Sequence, residues 1–163
     1  MKKFAHLLFG ACLLFTNMVI AQDAPHLRET SDLYSLGEVA HERDVPILVM
    51  FSQQNCTYCV ILEKEYLRPM LKSGDYKDKV IIRKVMIDSF DTLRNFDGSE
   101  IDASKFSGDY RAYVIPTMVF LDHNGKELTR RLMGIGTEGF FADEIDQAIN
   151  KSLQRLRAVA LQQ

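Results

Sequence analysis

The chain has 163 residues, 47% of them hydrophobic, with four prolines, nine glycines and 20 basic against 22 acidic side chains. That length and composition suit one domain with a sizeable core and exclude a disordered chain or a two-domain enzyme. A formal net charge of −2 provides no broad basic field for a phosphate backbone, so nucleic acid is not expected as a partner.

Lys2 and Lys3 precede an apolar stretch from Leu7 to Ile20, interrupted by Gly10, Thr16 and Asn17 and followed by Ala21. Positive charge, apolar run and small residue in that order predict a secretory leader over residues 1–21, cleaved after Ala21. The single domain is then 22–163, with a formal charge of −4 once Lys2 and Lys3 are gone. Lipid attachment at Cys12 fits less well, because Phe9-Gly10-Ala11-Cys12 follows too short an apolar region. No later stretch is long and apolar enough to predict a membrane span.

Residues 22–31 are polar and read as a flexible terminus, and Leu33 to Ala40 can supply a short helix. Ile47 to Phe51, after Pro46, is a nearly continuous apolar run, as expected of a strand covered on both faces. Ser52 to Asn55 turns the chain, with Ser52 or Asn55 available to cap the helix that follows. Cys56 falls at or just before the first turn of that helix. Cys59, Leu62, Tyr66 and Met70 recur at three- or four-residue intervals on one face, and Pro69 is expected to kink or end it.

Of the three cysteines, Cys12 leaves with the leader, so the domain keeps only Cys56 and Cys59, in the sequence Cys-Thr-Tyr-Cys. A two-residue spacer closes so small a ring that stapling the fold is a weak reason for the pair. With His26, His41 and His123 as the histidines of the domain and no second cysteine pair, neither a metal nor another cofactor is expected. A thiol at a helix start has its thiolate favoured by unpaired amides and by the positive end of the dipole. Cys56 is therefore the candidate attacking sulfur. Cys59, three residues later, is the candidate that resolves a mixed disulfide.

Downstream, Lys79 to Asp88 reads as a second central strand and Asp91 to Ser99 as a loop or excursion containing Asp97-Gly98. A helix is expected over Asp102 to Tyr113, with Phe106, Tyr110 and Tyr113 on one face. Thr117 to Leu121 forms a strand, His123 to Lys126 a hairpin turn, and Glu127 to Leu132 the return strand. A last helix runs from about Thr137 to Leu156, its apolar face built from Phe140, Phe141, Ile145, Ala148 and Ile149.

Taken in order, the buried strand, the Cys56-Thr57-Tyr58-Cys59 helix start, Ile115-Pro116-Thr117 before a strand, the Asn124-Gly125 hairpin, Gly134 and the terminal helix resemble the thioredoxin superfamily. Within it the chain looks like the exported SoxW-like and thioredoxin-related proteins. The resemblance implies an α/β thioredoxin fold, a central mixed β-sheet flanked by α-helices, with a helical or loop excursion before the cis-proline strand. It further implies that Pro116 is cis and packs opposite the cysteines, and that Ile115 offers backbone polar groups to an extended substrate. Thr57 and Tyr58 join Ile115 and Pro116 as candidate substrate contacts, although a tyrosine suits helix packing equally well.

Four departures stand out. Asn55 replaces the tryptophan that precedes the first cysteine in thioredoxins, Thr57-Tyr58 replaces their glycine-proline spacer, Met50 replaces their buried strand carboxylate, and Val60 replaces the basic residue after the pair. Glu63 lies on the following helix but is expected to face solvent. The expected activity is thiol–disulfide exchange in the bacterial periplasm, with thiol- or disulfide-containing proteins as partners, an upstream redox partner, and net reduction or electron carriage as the direction. A dedicated redox partner in sulfur-compound oxidation and a non-catalytic binding protein of the same fold are the alternatives.

Overall fold

A computed structural model describes residues 26–89 and 91–160. The expected leader over residues 1–21 lies outside the described residues. Strand β1 (Ile47–Ser52) is buried along its whole length. It runs parallel to β2 (Ile81–Met86) and antiparallel to β5 (Thr117–Leu121), and β5 pairs in turn with the two-residue β6 (Leu132–Met133), giving the order β2-β1-β5-β6. On the outer edge of β2, Arg28 and Thr30 hydrogen-bond both sides of Lys84.

The period-two alternation of strands divides the core into two layers. Ile47, Val49 and Phe51 of β1, with Val85, Val119 and Leu121, meet α1 (Leu33–Glu42) and α4 (Ala103–Asp109) on one face. Leu48 and Met50, with Ile82, Met118 and Phe120, meet the other face, where Cys59, Leu62, Leu67 and Met70 pack with Phe141, Ile145 and Ile149 of α5 (Phe141–Ala160). This is the expected mixed sheet flanked by helices. Helix α1 is capped by Asp32, whose carboxylate accepts from the Ser35 backbone at 2.9 Å and from its hydroxyl at 2.7 Å.

Several boundaries differ from the expectation. The stretch read as a loop over 91–99 is the arm of a β-hairpin, β3 (Thr92–Arg94) against β4 (Glu100–Asp102), turning at Asp97-Gly98. Helix α4 stops at Asp109, four residues short of Tyr113, so Phe106 and Tyr110 pack inward while Tyr113 is 79% exposed. The return strand after the Asn124-Gly125 turn makes one bridge at Glu127 and then pairs only at Leu132–Met133. Helix α5 begins at Phe141 rather than near Thr137, and Phe140 is 64% exposed instead of joining the apolar face.

Pro69 does not end its helix. The run continues from α2 (Thr57–Ile61) through a π segment (Leu62–Leu67) into α3 (Arg68–Ser73), with Pro69 in the first turn of α3 and the Arg68 amide donating five residues back to the Glu63 carbonyl. One widened turn accommodates a ring that would otherwise collide with the carbonyl four residues earlier. The hairpin turn at Gly125 is fixed by close approach. With φ at +83°, a Cβ there would lie 2.5 Å from Phe96 and 2.9 Å from the Tyr110 hydroxyl, which donates to the Gly125 carbonyl at 2.7 Å.

Candidate active site

Where β1 ends, its register brings two other segments alongside. Ser52 pairs with Met86 on β2, and Phe51 pairs with Thr117, the residue after Pro116. The loop from Ser52 to Asn55 is held by two hydrogen bonds from the β2 side: Ile87 donates to the Ser52 carbonyl at 2.9 Å, and the Gln54 amide donates to the Asp88 carboxylate at 2.8 Å. Asn55 then adopts φ +55°, a left-handed conformation that Asn tolerates better than most residues. This reversal delivers Cys56 to the start of the helical run.

Cys56 is the N-cap. Its backbone is extended, and its own sulfur accepts the Cys59 amide at 3.1 Å, the role expected of Ser52 or Asn55. The two cysteines are joined in a disulfide with Cα atoms 5.2 Å apart. Their surroundings differ. Cys56 is half-buried, whereas Cys59 is 4% exposed and sits in the core layer with Met50, Leu62 and Met118. An attacking species from solvent therefore meets Cys56 first.

The Ile115–Pro116 peptide is cis. Pro116 is buried, Ile115 packs against both core layers, and the Gly134 amide donates to the Pro116 carbonyl at 2.7 Å. Thr57 is exposed and Tyr58 is 63% exposed, so packing within the helix does not account for that ring. The sequence reading missed the apolar rim around these positions. Val60 and Ile61 after the cysteines, Tyr113 and Val114 before Ile115, and Met133 opposite Thr117 are all exposed. The signal was available in Tyr113-Val114, two large apolar residues directly before Ile115-Pro116.

Met50, at the position of the absent strand carboxylate, is fully buried and pairs in register with Lys84 on β2. Lys84 reaches a carboxylate nonetheless. Glu63, expected to face solvent, has a side chain only 14% exposed, accepts from Arg68 at 2.7 and 3.0 Å, and lies 3.4 Å from the Lys84 ammonium, which also pairs with Glu29 at 3.2 Å. Burial would push the Glu63 carboxyl up, but Arg68 and Lys84 outweigh it and hold it below the ordinary glutamate range. A carboxylate so firmly ionised is an anchor between helix and strand and a weak proton acceptor. His123 lies in the hairpin turn with its ring 4.5 Å from that of His41. Among the described residues no group of three or more His, Cys, Asp or Glu side chains could hold a metal ion.

The family model of a thioredoxin-like domain matches residues 37–149. No curated protein sequence matches the chain. Among solved structures, a Fasciola hepatica thioredoxin is 20% identical, covering 77% of this chain and 99% of its own, with a TM-score of 0.53. The Drosophila melanogaster germline thioredoxin Deadhead is 16% identical, covering 77% and 98%, also at 0.53. A DsbH oxidoreductase is 18% identical, covering 87% and 95%, at 0.56. At these identities the likeness is one of fold.

Proposed function

This chain belongs to the thioredoxin-like family and has the cysteine pair of a thiol–disulfide oxidoreductase, and from that premise we propose that Cys56 attacks the disulfide of a protein partner and that Cys59 resolves the complex. The observation that carries the assignment is the asymmetry of the pair, a half-buried sulfur at the helix start over a second one sealed in the core. In the reduced protein, the Cys56 thiolate attacks one partner sulfur, the partner's S–S bond breaks, and its other sulfur leaves as a thiolate that takes a proton from water. Cys59 loses its proton and attacks the Cys56 sulfur. The mixed disulfide breaks, the second partner thiol departs, and Cys56–Cys59 is left oxidised, with two electrons passed to the partner. The amides at the start of the 57–73 helical run favour the attacking thiolate.

The exposed rim of Tyr58, Tyr113, Val114 and Met133, together with Thr57, Ile115 and Pro116, is the surface offered to an extended partner. The net direction we assign is reduction or electron carriage, supported by Ile115 beside Pro116, the residue type of reducing thioredoxins. The compartment is the periplasm, supported by Lys2-Lys3 and the Leu7 to Ile20 run; among the described residues no helix is long and apolar enough to cross a membrane. The mass of the protein recovered from its native cells should begin at Gln22, and a cytoplasmic protein retaining Met1 would refute export.

The Cys59→Ser protein tests the order of attack. It should accumulate mixed disulfides that peptide mapping places on Cys56, and Cys56→Ser should accumulate none. Trapped partners bonded to Cys59 in Cys56→Ser, at a yield matching the reverse variant, would overturn the assignment.

A further inference from the structure

On the β2 side of the cysteines, across β1 from Pro116, the surface opens into a recess of about 460 Å³. Its position follows from the loop that carries Cys56: Gln54, two residues earlier, lines it together with Met86 at the end of β2 and Ser89 just beyond. The other walls come from elements outside the four-stranded sheet, the 29–31 segment on one side and Asp91 and Leu93 of the hairpin arm on the other. Met86, half-buried, gives it an apolar edge, and Leu93, only 3% exposed, backs it from the core. Glu29 and Asp91 give it negative charge, and no cationic side chain among the described residues lines it.

The carboxylates are only partly committed. One Glu29 oxygen meets Lys84 at 3.2 Å while the side chain stays 59% exposed, and Asp91 makes no ion pair among the described residues. The nearby cation Arg94 is occupied by Asp32 at 3.7 Å and by the Tyr34 ring at 4.2 Å. An occupant with a flexible apolar stem and a cationic head suits this lining, with methylenes along Met86 and the charge at Glu29 and Asp91. An acidic side chain in the same place would face two like charges.

We propose that this recess is a subsite for a lysine or arginine side chain of the protein partner, close in sequence to the partner's reactive cysteine. Gln54 lies on the recess wall and, through the reversal at Asn55, two residues before Cys56, so a partner side chain near the reactive cysteine comes within reach of the recess. The proposal rests on Cys56 as the attacking sulfur and adds a charge preference to it. It also gives the hairpin arm and the 29–31 segment a part in partner choice.

The test uses homodimeric disulfide peptides that differ only in carrying Arg, norleucine or Glu two residues from the cysteine, in one series before it and in another after it. The reduced protein is mixed with each peptide and quenched with acid, and released peptide thiol is measured by mass. Each rate is divided by that of dithiothreitol with the same peptide, which removes the peptide's intrinsic reactivity. In one of the two series Arg should exceed Glu by about three- to tenfold at low salt, with norleucine between them. The ratio should fall towards one at about 1 M salt, where exposed charges are screened, and in the Glu29→Gln/Asp91→Asn protein. Equal non-zero rates for Arg and Glu in both series, or a preference unchanged in the double variant, would overturn the subsite while leaving the cysteine assignment standing. Failure of every peptide to react would instead overturn the cysteine assignment, and the subsite with it.

Discussion

The layer that α1 and α4 close over the sheet has an apolar interior in which Phe106 meets Phe51 at 5.7 Å and Tyr110 at 5.0 Å, both edge to face, with Phe96 and aliphatic side chains around them, and the Asp32–Arg94 pair at its margin is half-exposed. The layer on the opposite face also has an apolar interior, but it encloses Cys59, and Glu63, Lys84 and Arg68 form an ionic cluster at its margin. Both faces bury the alternate residues of the same strands. What separates them is that the second contains a bond that must form and break, beside a widened helical turn and a lysine whose register partner is a methionine. One layer supplies stability to the sheet, and the other uses that rigidity to hold two sulfurs in unequal surroundings.

The largest effect that would separate the layers is Phe106→Ala. Truncating this fully buried ring should cost about 3–5 kcal/mol of stability, read by urea unfolding. The rate of disulfide exchange per folded molecule should stay as it was. A comparable loss in that rate would show that the two layers are not independent and would break the comparison.

Glu63→Gln probes the other layer with a smaller expected loss. Removing the charge leaves Lys84 and Arg68 without their shared partner and should cost about 1–2 kcal/mol at pH 7, since the cluster is only partly buried. The sign of the pH dependence follows from the lowered Glu63 carboxyl. Its ionised form stabilises the fold above the unfolded glutamate pKa of about 4.3, and that contribution is lost as pH falls through the lower folded value. The stability gap between native protein and Glu63→Gln should therefore be full at neutral pH and shrink in acid. A gap that is constant from pH 7 to pH 3 would remove the ion pair from the account.

Most of the first layer was legible in the sequence because long apolar runs fix buried strands whatever their neighbours do. Ile47 to Phe51 and Thr117 to Leu121 are of that kind, and the Cys56 helix start follows from what comes directly after the first run. The hairpin was not legible: Thr92–Arg94 and Glu100–Asp102 each bury a single apolar residue, Leu93 and Ile101, too little for a periodic signal. Phe140 and Phe141 are adjacent, so a small shift in where the helix begins decides which of them turns inward.

The site divides in the same way. Cys56, Cys59 and Pro116 are local features of the chain. Glu63 and Lys84 are 21 residues apart and meet only through the register of β1 with β2 and the packing of the π segment, neither of which the hydrophobic pattern specifies. The Asp88 carboxylate that holds Gln54 is hidden for the same reason, being 34 residues distant and outside any regular element.

The central claim is that the two sulfurs are chemically unequal because the fold exposes one at a helix start and seals the other in the core. Alkylation measures this directly. The fully reduced protein is treated at pH 7 with a limiting amount of iodoacetamide, quenched, and mapped by mass. Cys56 should be modified first and by at least about tenfold over Cys59, which stays protected until the fold is loosened with urea. Equal modification of the two residues, or Cys59 ahead of Cys56, would contradict the account.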